Sequence, residues 1–282
     1  MNIGYTGAAG RLGLLIGQAL ERAAVAHRAI SQRTEFVPSA AGRTVVRGSY
    51  DDPQQLAHAF EGLDRVFLVS TSEAPDERRR SHRNAIAAAR RAGVAHIIFL
   101  SLRDALPTSP FPFAVANHDA EVALRECERP DWTILHPNLY TEAIFEMGGG
   151  DLERGVVTFP WPQARVGYVS RSDVAEVAAS LLVDGGDVGQ TLEVTGGESL
   201  TLDEVCRELS GALGRSIQLE PQSLDEYRRK LESFFPADTA AAFAGLCQAL
   251  SEGRFDIATD VVRQRTGHPA RTLTDVARGL AR

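Results

Sequence analysis

The chain has 282 residues, is 44% hydrophobic and 24% charged, and carries a net charge of −7. Usage this close to the globular average excludes a largely disordered or fibrous protein, and the acidic balance excludes a general electrostatic grip on nucleic acid or anionic membrane. Of the 30 basic residues only one, Lys230, is a lysine, so any lysine-dependent chemistry must use that residue.

In chain order, the first half alternates short apolar runs with longer helical patterns. Asn2–Thr6 reads as a strand, and Arg11–Ala24 as a helix with apolar residues at Leu12, Leu15, Ile16 and Leu20. Val25–Gln32 and Thr44–Arg47 read as short strands, and Pro53–Phe60 as a helix with proline at its start. Arg65–Ser70 is a continuous apolar run, Pro75–Ala92 an amphipathic helix closed by Gly93, and Ala95–Ser101 a strand of the buried type. Val115–Glu128 reads as a helix and Trp132–His136 as a strand stopped by Pro137. Strands apolar throughout and separated by helices predict an α/β fold, a doubly wound parallel sheet covered on both faces.

The pattern breaks at Gly148-Gly149-Gly150. A helix over Ser172–Val183, capped by Ser170 or Ser172, a strand over Gln190–Thr195 and a helix over Leu202–Leu213 capped by Thr201 follow. Residues 223–282 read as mostly short helices. The expected organisation is a nucleotide-binding domain over 1–148, to which 165–196 returns, and a smaller, mostly helical C-terminal lobe over 149–282 that binds substrate. Arg78, Arg79, Arg80, Arg83, Arg90 and Arg91 share one helix and read as a solvated face rather than a nucleic-acid patch.

The chemistry begins at Gly7-Ala8-Ala9-Gly10-Arg11-Leu12-Gly13, a GxxGxxG between a predicted strand and a predicted helix, the context a dinucleotide motif needs. Gly7 permits the tight turn, Gly10 lets backbone N–H groups approach a pyrophosphate, and Gly13 lets the helix pack on the sheet. Arg33, 20 residues after Gly13, suits the 2′-phosphate of NADP; Glu35 is the competing signal for NAD. NADPH is the expected cofactor, with NADH second. Ligands of an open parallel sheet lie beyond the strands' carboxyl ends, which nominates Leu68, Val69, Ser70 and Thr71, then Ser101 and Leu102, then Pro137, Asn138, Leu139 and Tyr140.

The Tyr-x-x-x-Lys pair of short-chain dehydrogenases is absent: the residue four before Lys230 is Glu226. Acid/base candidates are His118, His136, Tyr140 and Tyr168; His136 reads as a satisfied structural histidine and Tyr168 as core. Tyr140, Asn138 and His118 are assigned to the substrate wall. Glu121 with Arg125 reads as a helix-surface salt bridge and Asp173 as a cap or dipole residue. Neither a metal-ligand cluster nor a nucleophile motif is apparent. Hydride transfer to a quinone needs only a bound nicotinamide and a stacked acceptor, with water supplying the protons.

The stretches TGAAGRLG (Thr6–Gly13), SYDDPQQLAHAFEGLDRVFLVSTSE (Ser49–Glu73), HRNAIAAARRAGV (His82–Val94) and WTILHPNLYTE (Trp132–Glu142) resemble the NmrA-like atypical short-chain dehydrogenases, most of all the bacterial type-2 NAD(P)H:quinone oxidoreductases. Weaker likeness runs on to GHPARTL (Gly267–Leu273). The resemblance implies that Gly7, Ala9, Gly10, Arg11, Leu12 and Gly13 line the pyrophosphate, Arg33 the 2′-phosphate, Val69, Ser70 and Thr71 the ribose, and Pro137–Tyr140 the nicotinamide. It places Arg171 close to the cofactor and His118 at the start of the helix that follows the fifth strand. Departures are Leu135-His136-Pro137 for the family's LRP, Ser49 for an acidic residue before Tyr50, and no lysine near His118.

The function expected is NADPH-dependent hydride transfer to a quinone or similar conjugated small molecule. A non-catalytic dinucleotide sensor of the NmrA type and a pathway-specific reductase or isomerase are the alternatives. A homodimer is the default oligomer. Three scattered cysteines, an opening without the regions of a signal peptide, and no apolar run near the roughly 18 residues of a membrane span point to a soluble cytoplasmic protein.

Overall fold

The structure, a computed structural model, describes residues 1–280; residues 281–282, the end of the expected second lobe, lie outside the described residues. Seven strands form one parallel sheet: β1 (Ile3–Tyr5), β2 (His27–Ser31), β3 (Arg43–Arg47), β4 (Arg65–Leu68), β5 (His96–Leu100), β6 (Asp131–Pro137) and, later in the chain, β8 (Gln190–Val194). Their order is β3-β2-β1-β4-β5-β6-β8. The central strands are buried on both faces, which is why they read as continuous apolar runs.

On one face α1 (Arg11–Arg22) packs against α6 (Arg171–Asp184) over a core built around Tyr5, Ile16, Leu20, Phe67, Ile98 and Leu181. On the other, α2 (Pro53–Phe60), α3 (Pro75–Arg91) and α4 (Pro112–Arg125) cover Leu56, Phe60, Val66, Ile97, Phe99 and Ile134. The strand order reverses between β1 and β4, so a crevice opens there beyond the strands' carboxyl ends.

A third core holds the lobe built from α5 (Thr141–Glu153), the two-residue strands β7 (Val156–Val157) and β9 (Gln218–Leu219), α7 (Leu202–Leu213), α8 (Leu224–Glu232), α9 (Ala237–Ser251) and α11 (Leu273–Leu280). Its centre is Phe159 stacked on Trp161 at 4.7 Å, with Tyr227 edge-on to both. Between these pieces the chain returns to the sheet layer through α6 and β8, and α10 (Val261–Thr266) packs on α6. Among the described residues no helix is long and apolar enough to cross a membrane.

Several elements differ from expectation. Helix α4 starts at Pro112, three residues early, because proline suits a first helical position. Helix α5 runs through Gly148–Gly150, where a break was expected. Each glycine costs a helix about 1 kcal/mol, and burial of Ile144 and Leu152 in the lobe core opposes that cost. Arg78 does not share the solvated face of α3: it is buried, its Nε donating to Asn117 Oδ1 at 2.7 Å. Glu121 pairs with Arg125 at 2.9 Å as expected by spacing, but it is a buried group inside the molecule, not a surface one. Asp173 is also buried and holds the guanidinium and backbone N–H of Arg271.

Candidate active site

The glycine turn between β1 and α1 is built so tightly that side chains would break it. Gly7 has φ +67°, and a Cβ there would stand 3.1 Å from Val69 Cβ. A Cβ on Gly13 would lie 2.2 Å from the carbonyl oxygen of Gly7. Gly10 caps α1 without any side-chain bond, and no acidic residue sits in the first turn. The first-turn N–H groups and the positive end of the helix therefore face the crevice with no protein anion upon them. Leu12 itself is buried, so only its backbone can serve a ligand.

From this turn a cleft of about 410 Å³ runs over the ends of β2, β3 and β4. It gathers Gly7, Ala9, Gly10, Arg33, Val69, Ser70 and Thr71, and adds Ser49, Tyr50 and Glu73, to which the sequence reading gave no role. Arg33 is exposed at the cleft with its guanidinium 5.4 Å from the Phe36 ring centroid, and among the described residues it makes no side-chain hydrogen bond or ion pair. That free planar fork fits a phosphate. Glu35 lies exposed on the 3-10 turn Thr34–Phe36 and does not line the cleft.

The loop after β4 is fixed from behind by α3. The Thr71 N–H donates to His82 Nε2 at 3.2 Å, Ser70 Oγ lies 3.0 Å from the same nitrogen, and Arg78 Nη2 donates to Ser70 Oγ at 2.8 Å. Burial, and then the Arg78 charge, push the His82 pKa down to about 3, so the ring is neutral and Nε2 accepts. This is the work of the HRN stretch, invisible to periodicity because its partners lie on other elements. Opposite, Thr6 Oγ1 meets Tyr50 Oη at 2.6 Å and accepts from the Val69 N–H at 2.9 Å, tying β1, β3 and β4 together.

The crevice beyond the end of β6 is less uniform. Tyr140, which precedes α5, lies beneath Arg171, whose guanidinium carbon is 5.0 Å from the ring centroid. Burial keeps the Tyr140 phenol well above its usual pKa, although the Arg171 charge opposes this. Arg171 forks onto Glu146 of α5 and its N–H donates to Glu142 Oε1 at 3.0 Å. Glu146 also pairs with Arg11, so Arg11, Arg171 and Tyr140 are drawn to one place. Asn138 is turned elsewhere: it is buried, its Nδ2 donates to the Phe255 carbonyl at 2.9 Å and its Oδ1 accepts the Leu139 N–H, leaving its amide a scaffolding task. Leu139 packs on the lobe core. His118 does not open its helix; it sits in the second turn of α4 with Nδ1 3.2 Å from the Ala105 carbonyl. Tyr168 is buried in the lobe core.

Lys230 does not approach Tyr140: it pairs with Asp151 and lies 3.3 Å from Thr158 Oγ1, within the lobe. Asp173, Glu176 and His268 have metal-ligand spacing, but Arg271 pairs with both carboxylates and His268 with Glu176, so the negative charge is already met.

A seven-stranded parallel sheet and a glycine turn on a helix N-terminus define a Rossmann domain of the NAD(P)H-binding kind. The NAD(P)H-binding family model matches residues 7–185. A phosphorylated-butenolide reductase of Streptomyces griseus, (4-alkanoyl-5-oxo-2,5-dihydrofuran-3-yl)methyl phosphate reductase, is 31% identical over 96% of this chain and 94% of its own. Quinone oxidoreductase 2 of Escherichia coli is 28% identical over 97% and 96%. The crystal structure of the E. coli enzyme with NADPH superposes with a TM-score of 0.90, covering 99% of this chain and all of that one; the Citrobacter triphenylmethane reductase with NADP(H) gives 0.89 over the same shares at 27% identity. The chain belongs to the NAD(P)H-binding, NmrA-like family that includes the bacterial type-2 quinone oxidoreductases, and is an NAD(P)H-dependent oxidoreductase.

Proposed function

We propose that this protein reduces a small conjugated molecule, a quinone or a comparably electrophilic enone, at the expense of NADPH, in the crevice between the carboxyl edge of the sheet and the C-terminal lobe. When bound, NADPH supplies the hydride. Gly7, Gly10 and the first turn of α1 would hold its pyrophosphate, Arg33 its 2′-phosphate, and Val69, Ser70 and Thr71 its ribose. Arg171 and Tyr140 would wall the nicotinamide and the acceptor, with His118 on the adjoining helix.

The observation that carries this reading is the lack of an activated acid at that end. Tyr140 is held above its ordinary pKa by burial, and the single lysine is tied to Asp151. Such a site suits an acceptor whose conjugated system takes hydride directly and collects its proton from water. The relatives agree in kind: their names specify a butenolide phosphate, quinones and, in Xenophilus azovorans, azo compounds as substrates.

The test is NADPH oxidation by the purified protein with a panel of benzoquinones, naphthoquinones, an acylbutenolide and an azo dye. Acceptor-dependent oxidation supports the reading; tight NADPH binding without oxidation of any of them refutes it. The homodimer belongs to the same proposal, prompted by exposed Leu224 at the start of α8 and exposed Phe234 and Phe235 just past its end, and light scattering on the eluting protein checks it. Cytoplasmic residence is likewise proposed; the three cysteines are free, and two of them are buried.

A further inference from the structure

The polar groups around the adenosine end of the cleft can be accounted for one by one. Tyr50 Oη is occupied by Thr6 and by the Val69 carbonyl, to which it donates at 2.9 Å. Ser49 Oγ accepts from Gln32 Nε2 and from the Asp51 N–H at 3.1 Å. Ser70 Oγ is held by Arg78 and His82. That leaves Arg33, Asp51, the Thr71 and Ser72 hydroxyls, the Gln32 amide oxygen and Glu73.

Glu73 is the odd one among them. It lines the cleft, it is only half exposed, and its Oε2 is closed off from water without accepting a hydrogen bond from any described residue. Its other oxygen accepts none either, and no described cation forms an ion pair with it; its charge is felt by buried Arg78 and by Tyr50. A carboxylate oxygen kept from water without a donor is costly, and Oε1 is the oxygen left open to meet a ligand in the cleft. Asp51, by contrast, is exposed and keeps its hydration. Arg33, Ser49, Tyr50 and Glu73 line the same cleft, so a base whose 2′-phosphate met Arg33 would lie in a cleft that Glu73 also walls. The residue before Tyr50, where relatives carry an acid, is serine here, and its hydroxyl is spent on Gln32 and Asp51.

We propose that Glu73 is the residue that reads the adenine: its carboxylate accepts a hydrogen bond from the 6-amino group and so discriminates an adenine dinucleotide from one with an oxygen at that position. This rests on the cleft binding NADPH.

The test compares binding of NADPH and of its hypoxanthine analogue, which presents an oxygen acceptor in place of the amino donor, to the wild type, Glu73→Gln and Asp51→Asn, by fluorescence titration. A hydrogen bond to a charged acceptor predicts a wild-type preference for adenine of roughly tenfold or more. Glu73→Gln should collapse that preference, since an amide can either accept from the amino group or donate to the oxygen; Asp51→Asn should leave it intact. Both ligands are measured on the same protein, so a general loss of stability cancels in the ratio. A wild type that binds both dinucleotides equally overturns the proposal even if the variant fails to fold, as does a preference that survives in Glu73→Gln. A wild type that binds neither refutes the cofactor reading instead.

Discussion

Raising the pH from 6.5 to 9.5 should unfold this protein's margin of stability through one residue, His136. Its Nε2 lies 2.6 Å from Glu121 Oε1 and its Nδ1 3.1 Å from Glu193 Oε1. Both nitrogens can donate only if the ring is protonated. Ser101 Oγ and Arg125 also bond Glu121, and Arg103 pairs with Glu193 at 2.8 Å, so the cluster is two carboxylates and three cations. Burial alone would lower the pKa of His136, but the hydrogen bonds it donates to the two carboxylates prevail and raise it to about 9; the same contacts hold Glu121 below its ordinary range against its own burial.

The folded pKa thus exceeds the unfolded value of about 6.5. A raised pKa means stability that is complete below about 6.5 and disappears as pH rises through 9, because above the unfolded pKa folding must take up a proton. Two and a half pKa units at 1.36 kcal/mol each set a ceiling of about 3 kcal/mol. Urea unfolding at pH 6.5, 7.5, 8.5 and 9.5 measures it. The buried thiols of Cys206 and Cys247, both raised by burial, also weaken the fold at the alkaline end, so the control is His136→Arg, which keeps a cation between the carboxylates without titrating. The difference between wild type and His136→Arg should change by up to about 3 kcal/mol across the window. Identical pH profiles would refute the reasoning. His136→Asn should cost about 1.5–3 kcal/mol near neutral pH, since it removes charge-assisted hydrogen bonds while Arg125 and Arg103 still pair with Glu121 and Glu193.

Arg33→Ala should weaken NADPH binding by about 10- to 100-fold, the value of charge-assisted bonds to a phosphate, and leave NADH binding nearly unchanged; equal losses would remove Arg33 from the 2′-phosphate. Tyr140→Phe should retain acceptor-dependent NADPH oxidation within about threefold, because a phenol held above its usual pKa is a poor acid, whereas loss of a true general acid costs about 10²–10⁴; a collapse of kcat would make Tyr140 the proton donor. Lys230→Met should lose no more than about 1 kcal/mol of stability with Asp151 while kcat stays unchanged, and a large fall in kcat would show that the lysine acts on the chemistry after all.

The parts of this protein that its sequence settles by itself are those decided by neighbours a few positions apart. The apolar runs that became β4 and β5, the proline and cap that start α2, the Thr201 cap of α7, and the Gly7–Gly13 turn all follow from local dihedral limits, side-chain period and capping chemistry. So the sheet and the tight glycine turn were legible, and Arg33's place on the cleft beside it. What the tertiary structure decided involves partners far along the chain. Asn138 is drawn to the Phe255 carbonyl, 117 residues on, and Arg78 to Asn117, 39 away. His136 finds Glu193 57 residues later, which turns a pattern departure into a charged cluster. Helix α5 survives three glycines because its apolar residues have a lobe to bury against. No local rule encodes such pairings: whether a polar side chain faces solvent, a ligand or a buried partner depends on which groups the fold brings within hydrogen-bond reach, and burial then makes that partner obligatory.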